Sequence, residues 1–263
     1  MTATAPALQA LLFDVDGTLA DTEEVHRLAF DDAFEAHGLP YRWSRAEYAC
    51  LLGVSGGKER LRHYFESLDV SADDHRALEA LVPALHATKN TRYAELFAGT
   101  ATLRPGVVRL LDEARAAGIR VGIASTTSLH NALALLEATL GKDGAARFDV
   151  IACGDVVSSK KPSPDIYLFA LAHLGMSAVH AVAFEDSENG LRAARGAGLF
   201  TVITPSPWSG GHDLAAADLF LPHLGDPAEP LDASHSFPFL TVAWLEAALA
   251  ARGAKPIGAG GPP

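Results

Sequence analysis

The sequence predicts an α/β protein: a doubly wound parallel sheet, interrupted straight after its first strand by an inserted all-helical cap. Three observations carry this. The apolar run Leu11-Leu12-Phe13 ends abruptly in Asp14, and a strand buried on both faces of a parallel sheet reads as such a run. Between residues 20 and 98 the pattern is helical, with no convincing strand. From Arg104 onward strands and helices alternate, the rhythm of a parallel sheet covered on both sides.

Taken in order, residues 1–9 read as a loose lead-in and the first strand runs into Asp14. Gly17 then permits a sharp turn. A helix is expected over 22–37, with Val25, Leu28, Ala29, Ala33 and Phe34 at helical spacing and Gly38-Leu39-Pro40 as its stop. Further helices are expected over 44–52, 58–68 and 73–97. A helix over 105–117 has Pro at its start and Gly118 after its end, the expected asymmetry. Strands then fall at 119–124, 148–153, 181–184, 199–204 and 218–221, with helices between them at 128–140, 164–174 and 189–197. One more helix is expected at 241–251, before a Gly-Ala-Gly-Gly-Pro-Pro end whose composition predicts disorder. The expected division is a core of 1–19 and 99–263, in which 226–263 is an extension of unassigned role, and a cap of 20–98.

Bulk numbers exclude several functions. A formal net charge of -11 is a poor match for nucleic acid, which needs basic surface. No apolar run approaches the roughly 20 residues that span a bilayer, and residues 1–10 lack the basic start and apolar stretch of a signal peptide. Two cysteines, Cys50 and Cys153, are too few for a disulfide framework; both are expected as small core residues in a reducing, cytoplasmic setting. The chain is expected to act as a monomer on a small molecule.

Chemistry gathers where the strands end. Ligands of open α/β sheets bind beyond the carboxyl ends of the strands. Asp14 and Asp16 stand there, and two acids this close repel unless a cation or a shared proton relieves them. A hard divalent cation is the simplest relief; the plainer alternative is a polar turn. Ser125-Thr126-Thr127-Ser128 follows the second strand, Lys160-Lys161-Pro162 the third, and Glu185-Asp186 the fourth. The hydroxyls suit a phosphate near a helix start, or simply cap that helix. Lys161 suits the neutralisation of a carboxylate and an incoming phosphate, or is a solvated loop lysine. Asp186, with Glu185, would complete the oxygen shell begun by Asp14. In the insert, Gly56-Gly57-Lys58-Glu59-Arg60 joins a flexible Gly pair to a helix start with two cations, a place for a second anion or an ordinary loop.

The run Asp14-Val15-Asp16-Gly17-Thr18, the hydroxyl of Ser125, Lys161 and Glu185-Asp186 resemble the four motifs of the haloacid dehalogenase superfamily of phosphotransferases, over residues 10–222 or so. The resemblance implies a Rossmann-like core, an aspartyl-phosphate on Asp14, and Asp16 as the acid and base. It implies Mg2+ held by Asp14, the backbone carbonyl of Asp16 and Asp186, with Glu185 bound directly or through water. Gly-Gly-Lys-Glu-Arg at 56–60, with Thr22-Glu23-Glu24 and Tyr48, resembles the CbbY-type branch, which is similar to β-phosphoglucomutases but hydrolyses xylulose 1,5-bisphosphate. That resemblance implies that Glu23, Tyr48, Gly57, Lys58 and Arg60 contact the sugar and its distal phosphate. Ser125, Thr126, Thr127, Ser128 and Lys161 would hold the reacting one. His26 stands where the mutases have a histidine that senses closure; it also reads as a plain helix histidine. The mutases carry a cap arginine near the position of Gly56, and its absence argues for a phosphatase over a mutase. A non-enzymatic phospho-aspartate module is the other alternative, but such single domains run to about 120 residues and have no helical insert.

Overall fold

The computed structural model describes residues 8–97 and 101–254. Residues 1–7 of the expected lead-in, the exact limit of the insert at 98–100 and the disorder expected at 258–263 lie outside the described residues.

Strands β1 (Ala10–Phe13), β2 (Arg120–Ser125), β3 (Val150–Cys153), β4 (Ala181–Glu185), β5 (Phe200–Ile203) and β6 (Leu219–Phe220) form a parallel sheet in the order β3-β2-β1-β4-β5-β6. In register, Phe13 pairs with Ile123 on one side and Phe184 on the other. Side chains alternate across the sheet. Leu11 and Phe13 enter one core with Val121, Ile123, Val182 and Phe184. Ala10 and Leu12 enter the other with Ala124 and Ala183. Both faces are buried, which is why the strands read as unbroken apolar runs.

Helices α5 (Val107–Ala116), α6 (Leu129–Leu140) and α9 (Val242–Ala254) cover the first face. Helices α7 (Asp165–Leu174) and α8 (Glu188–Gly196) cover the second, where alanines on strand and helix let the layers approach closely. Strand order reverses on either side of β1, so the crevice lies at the carboxyl ends of β1 and β4. Just below it the Phe13 and Phe184 rings stack at 4.4 Å.

Between β1 and β2 lie α1 (Glu23–Ala36), α2 (Arg45–Leu51), α3 (Gly57–Glu66) and α4 (Ala72–Phe97). They have their own core of Phe30, Phe34, Trp43, Tyr48, Leu61 and Phe65. Ser44 opens α2 with a capping box: its hydroxyl accepts from the Glu47 amide while Glu47 reaches back.

Two features depart from the sequence reading, and a third adds to it. Short 3-10 turns occur at Gly144–Arg147, Gly154–Val156 and Ala178–His180, too short to leave a periodic signal. Cys153 is buried as expected, but Cys50 is exposed on α2, so it is not a core residue. The described part of the segment after residue 225, expected in the core with no assigned role, covers one sheet face. Leu231, Leu240, Leu245 and Leu249 are buried on the α5 face. Arg109 of α5 donates to the carbonyls of Gly225 (3.1 Å) and Leu240 (2.7 Å). Among the described residues no helix is long and apolar enough to cross a membrane.

Candidate active site

Each functional side chain is placed by the end of a strand. Asp14 follows β1, its amide bonded to the Phe184 carbonyl at 3.0 Å. Lys161, in the loop after β3, is buried rather than solvated. Its Nζ donates to Asp14 Oδ1 at 2.5 Å and to Glu185 Oε1 at 2.6 Å. Tyr167 of α7 donates to the same Glu185 oxygen at 2.6 Å. Burial alone would depress the Lys161 pKa, but the two carboxylates outweigh it and hold the ammonium charged. Burial pushes the Asp14 carboxyl well up, with Glu185, Asp186 and Asp16 adding to this and Lys161 opposing it.

Asp186 is fixed by two hydroxyls. Ser206 Oγ donates to its Oδ2 at 2.7 Å, and Ser209 Oγ donates to its backbone carbonyl at 2.7 Å. Its carboxyl is pushed up to about 7, first by burial and then by the charge of Glu185. Gly17 lies against it: at φ +83°, with its Cβ position on the Asp186 carboxylate, only glycine fits. Arg104 donates to the carbonyls of Gly17, Thr204 (2.6 Å) and Pro205 (2.8 Å), tying the loops after β1 and β5 beneath the site.

Asp14, Glu185 and Asp186 each offer a carboxylate oxygen within 4.8 Å of the others, all three buried. Glu185 Oε2 has no hydrogen-bond partner among the described residues. Three buried acids, two of them bonded to Lys161 and with the Asp14 and Asp186 carboxyls pushed upward, form an all-oxygen set that fits a hard divalent ion.

Asp16 turns away from this cluster toward the insert. Thr22 occupies the N-cap position of α1 but caps nothing; its hydroxyl donates to Asp16 Oδ1 at 2.6 Å. His26 Nε2 lies 2.9 Å from the same oxygen, and Lys89 Nζ of α4 lies 2.6 Å from His26 Nδ1. A carboxylate can only accept, so Nε2 carries the proton and Lys89 donates to Nδ1. His26 is thus buried in a chain from α4 to the core and stacks on Tyr93 at 4.2 Å. Burial would raise the Asp16 pKa, yet His26, Thr22 and Lys89 together hold it below the usual carboxylate range. Burial depresses Lys89 to about 7 despite the opposing charge of Asp16.

The insert roofs a cavity of about 320 Å³ over these groups, lined by Asp14, Asp16, Lys161 and Asp186 below and by Glu23 and Arg60 above. Gly57, Ser125, Thr126, Thr127 and Ser128 also line it. Ser125 is buried, its Oγ accepting from the Thr127 amide at 3.3 Å, and Ser128 caps α6 through the Asn131 amide at 3.2 Å. Two expected contacts stand outside these walls. Tyr48 is buried behind them; its hydroxyl donates to Glu23 Oε2 at 2.9 Å and accepts from Arg60 Nη1 at 2.8 Å, so it braces two lining residues. Lys58 lies beside an adjoining cavity of about 330 Å³ and pairs with Asp155 at 2.5 Å. Roof and floor also meet where Asn189 of α8 donates to the Gly53 carbonyl at 2.9 Å, and where Trp208 packs edge-on against Tyr48.

The sequence reading did not find Arg104, Tyr167, Ser206, Ser209 or Lys89. Each is an isolated polar residue far along the chain from its partner, and no spacing rule joins them. Thr22, six residues from Asp16, was visible as a helix start and within the Thr22-Glu23-Glu24 run, but not as a partner of Asp16.

This architecture and site are those of a known class, and the chain belongs to it: it is a haloacid dehalogenase-like hydrolase, matching that family over residues 8–198. It is an enzyme of the phosphatase kind. Protein CbbY from a Cupriavidus necator plasmid is 49% identical to it over 225 residues, 85% of this chain and 89% of that one. A phosphorylated carbohydrates phosphatase of Thermotoga maritima is 32% identical over 192 residues, 73% of this chain and 82% of that one. A mutant of CbbY from Rhodobacter sphaeroides, solved in complex with xylulose-(1,5)bisphosphate, superposes with a TM-score of 0.77 at 44% identity, covering 84% of this chain and 98% of that one.

Proposed function

We propose that the chain hydrolyses a phosphosugar, xylulose 1,5-bisphosphate first among candidates, through a phosphoryl group carried on Asp14. The observation that carries this reading is the roofed cavity with Asp14 and Lys161 at its floor and Arg60 at its top, an anion-binding group at each end. The similarity to a structure that holds the same bisphosphate supports the substrate. Residues 20–98 serve as the cap that selects it.

Asp14 attacks phosphorus, and the bond from phosphorus to the sugar oxygen breaks. A carboxylate nucleophile divides one hard displacement into two easier ones. Lys161 orients Asp14 and offsets charge on the phosphoryl oxygens; Ser125, Thr126 and Thr127 bind them beside the start of α6. Asp16 Oδ1 is engaged by Thr22 and His26, while Oδ2 has no hydrogen-bond partner among the described residues and is the oxygen to face the leaving group. Its contacts favour the ionised form, which takes a proton from the water that attacks phosphorus and breaks its bond to Asp14 in the second half-reaction; for the first half it must carry a proton, which passes to the departing sugar oxygen. Asp14, the Asp16 carbonyl and Asp186 would hold Mg2+, with Glu185 behind, and the ion supplies charge stabilisation for the transferring phosphoryl group. Two free cysteines suit a reducing, cytoplasmic setting.

The test is phosphate release from a panel of sugar mono- and bisphosphates, with and without EDTA. The reading expects the highest kcat/KM on a ketopentose 1,5-bisphosphate and loss of activity in EDTA. Isomerisation of β-glucose 1-phosphate without phosphate release would instead mark a mutase.

A further inference from the structure

Gly56, Gly57, His86, Thr126 and Ser128 form walls of both cavities, the one over Asp14 and the one beside Lys58. His86 reaches this place from α4, one turn before Lys89. Its ring makes no hydrogen bond to any described residue, although it is half-buried. The local backbone admits it: a Cβ on Gly57 would lie 2.8 Å from both Cδ2 and Nε2 of the imidazole, so a larger residue there would displace the ring. Burial, then the charges of Lys89 and Lys58, push His86 down to about 4, and it is uncharged at neutral pH. An uncharged imidazole donates from one nitrogen and accepts at the other. That matches a hydroxyl, which also does both, better than a phosphate, which near neutral pH mainly accepts.

We propose that His86 is a specificity-determining residue that hydrogen-bonds a hydroxyl on the carbon chain of the substrate, between the phosphate over Asp14 and the end that reaches toward Lys58. This deepens, and rests on, the phosphosugar reading. It assigns His86 to the polyhydroxylated part of the ligand and explains Gly57 as the residue that makes room for the ring.

The experiment compares wild type, His86→Ala and His86→Gln on two substrates: a ketopentose 1,5-bisphosphate and pentane-1,5-diol bisphosphate, which keeps both phosphates but has no free hydroxyl. One uncharged hydrogen bond corresponds to a change of about tenfold. The expected result is an approximately tenfold fall in the ratio of kcat/KM, sugar over diol, in His86→Ala, mainly through KM, with much of it restored by the amide of His86→Gln. Equal fractional losses on both substrates would assign His86 a purely structural role and overturn the proposal, as would an unchanged ratio. Failure of wild type to hydrolyse either compound would overturn the phosphosugar reading and this assignment together, and it is told apart because it needs no variant.

Discussion

Lys161 carries more of the site than any other single side chain. It is buried, and its ammonium is shared between Asp14 and Glu185. Breaking a buried pair leaves uncompensated charge, a loss of about 3–5 kcal/mol. Lys161→Met is therefore expected to abolish turnover and to lower the urea midpoint of unfolding markedly; an unchanged midpoint would contradict the tight pairing. Asp186 makes a second prediction. Its folded pKa of about 7 lies above the ordinary carboxylate value, so its neutral form stabilises the fold. That contribution is complete below about pH 4 and is lost as pH rises through about 7. In EDTA the melting temperature should fall by a few degrees between pH 5 and pH 8. Saturating Mg2+ should shrink the fall, because it binds the ionised form, and Asp186→Asn should remove the part due to this residue. Thermal melts across this range, with and without metal, check both.

At the scale of elements, the strand ends were legible because burial on both faces leaves unbroken apolar runs, each interrupted by a polar residue at the crevice. Asp14 after β1 and Glu185-Asp186 at the end of β4 stand out for that reason. The helices of the insert were legible from period, and α5 from its Pro and Gly borders. What surrounds these residues was not legible. Arg104 joins the loops after β1 and β5 through carbonyls, which have no sequence signature, and Ser206 and Ser209 reach Asp186 from a loop with no pattern. Lys58 shows the opposite case: its position at the start of α3 was readable, but its partner Asp155, 97 residues away, was not. Lys58 must leave that partner to reach a phosphate. Lys58→Ala is expected to raise KM for a ketopentose 1,5-bisphosphate several-fold more than for p-nitrophenyl phosphate. Equal effects on the two, measured by steady-state kinetics, would remove Lys58 from distal-phosphate binding.

The whole molecule works as a sheet that places charge and an insert that closes over it. The described part of the segment after residue 225 belongs to the first part: with Leu240 and Leu245 buried and Arg109 holding the Leu240 carbonyl, it completes one face of the sheet, and none of these described residues lines the cavity. The insert meets the floor through Asn189, Trp208 and the chain from Lys89 through His26 to Asp16, so its position is coupled to the carboxylate proposed to exchange a proton. The proposed function turns on one event, transfer of a phosphoryl group to Asp14. The most direct measurement is rapid acid quench of Asp16→Ala during its first turnover of a ketopentose 1,5-bisphosphate, followed by peptide mapping. An alkali-labile phosphoryl group on the peptide that contains Asp14 is the predicted result; phosphate release with no protein-bound phosphoryl group at any time, or a phosphoryl group on another residue, would contradict it.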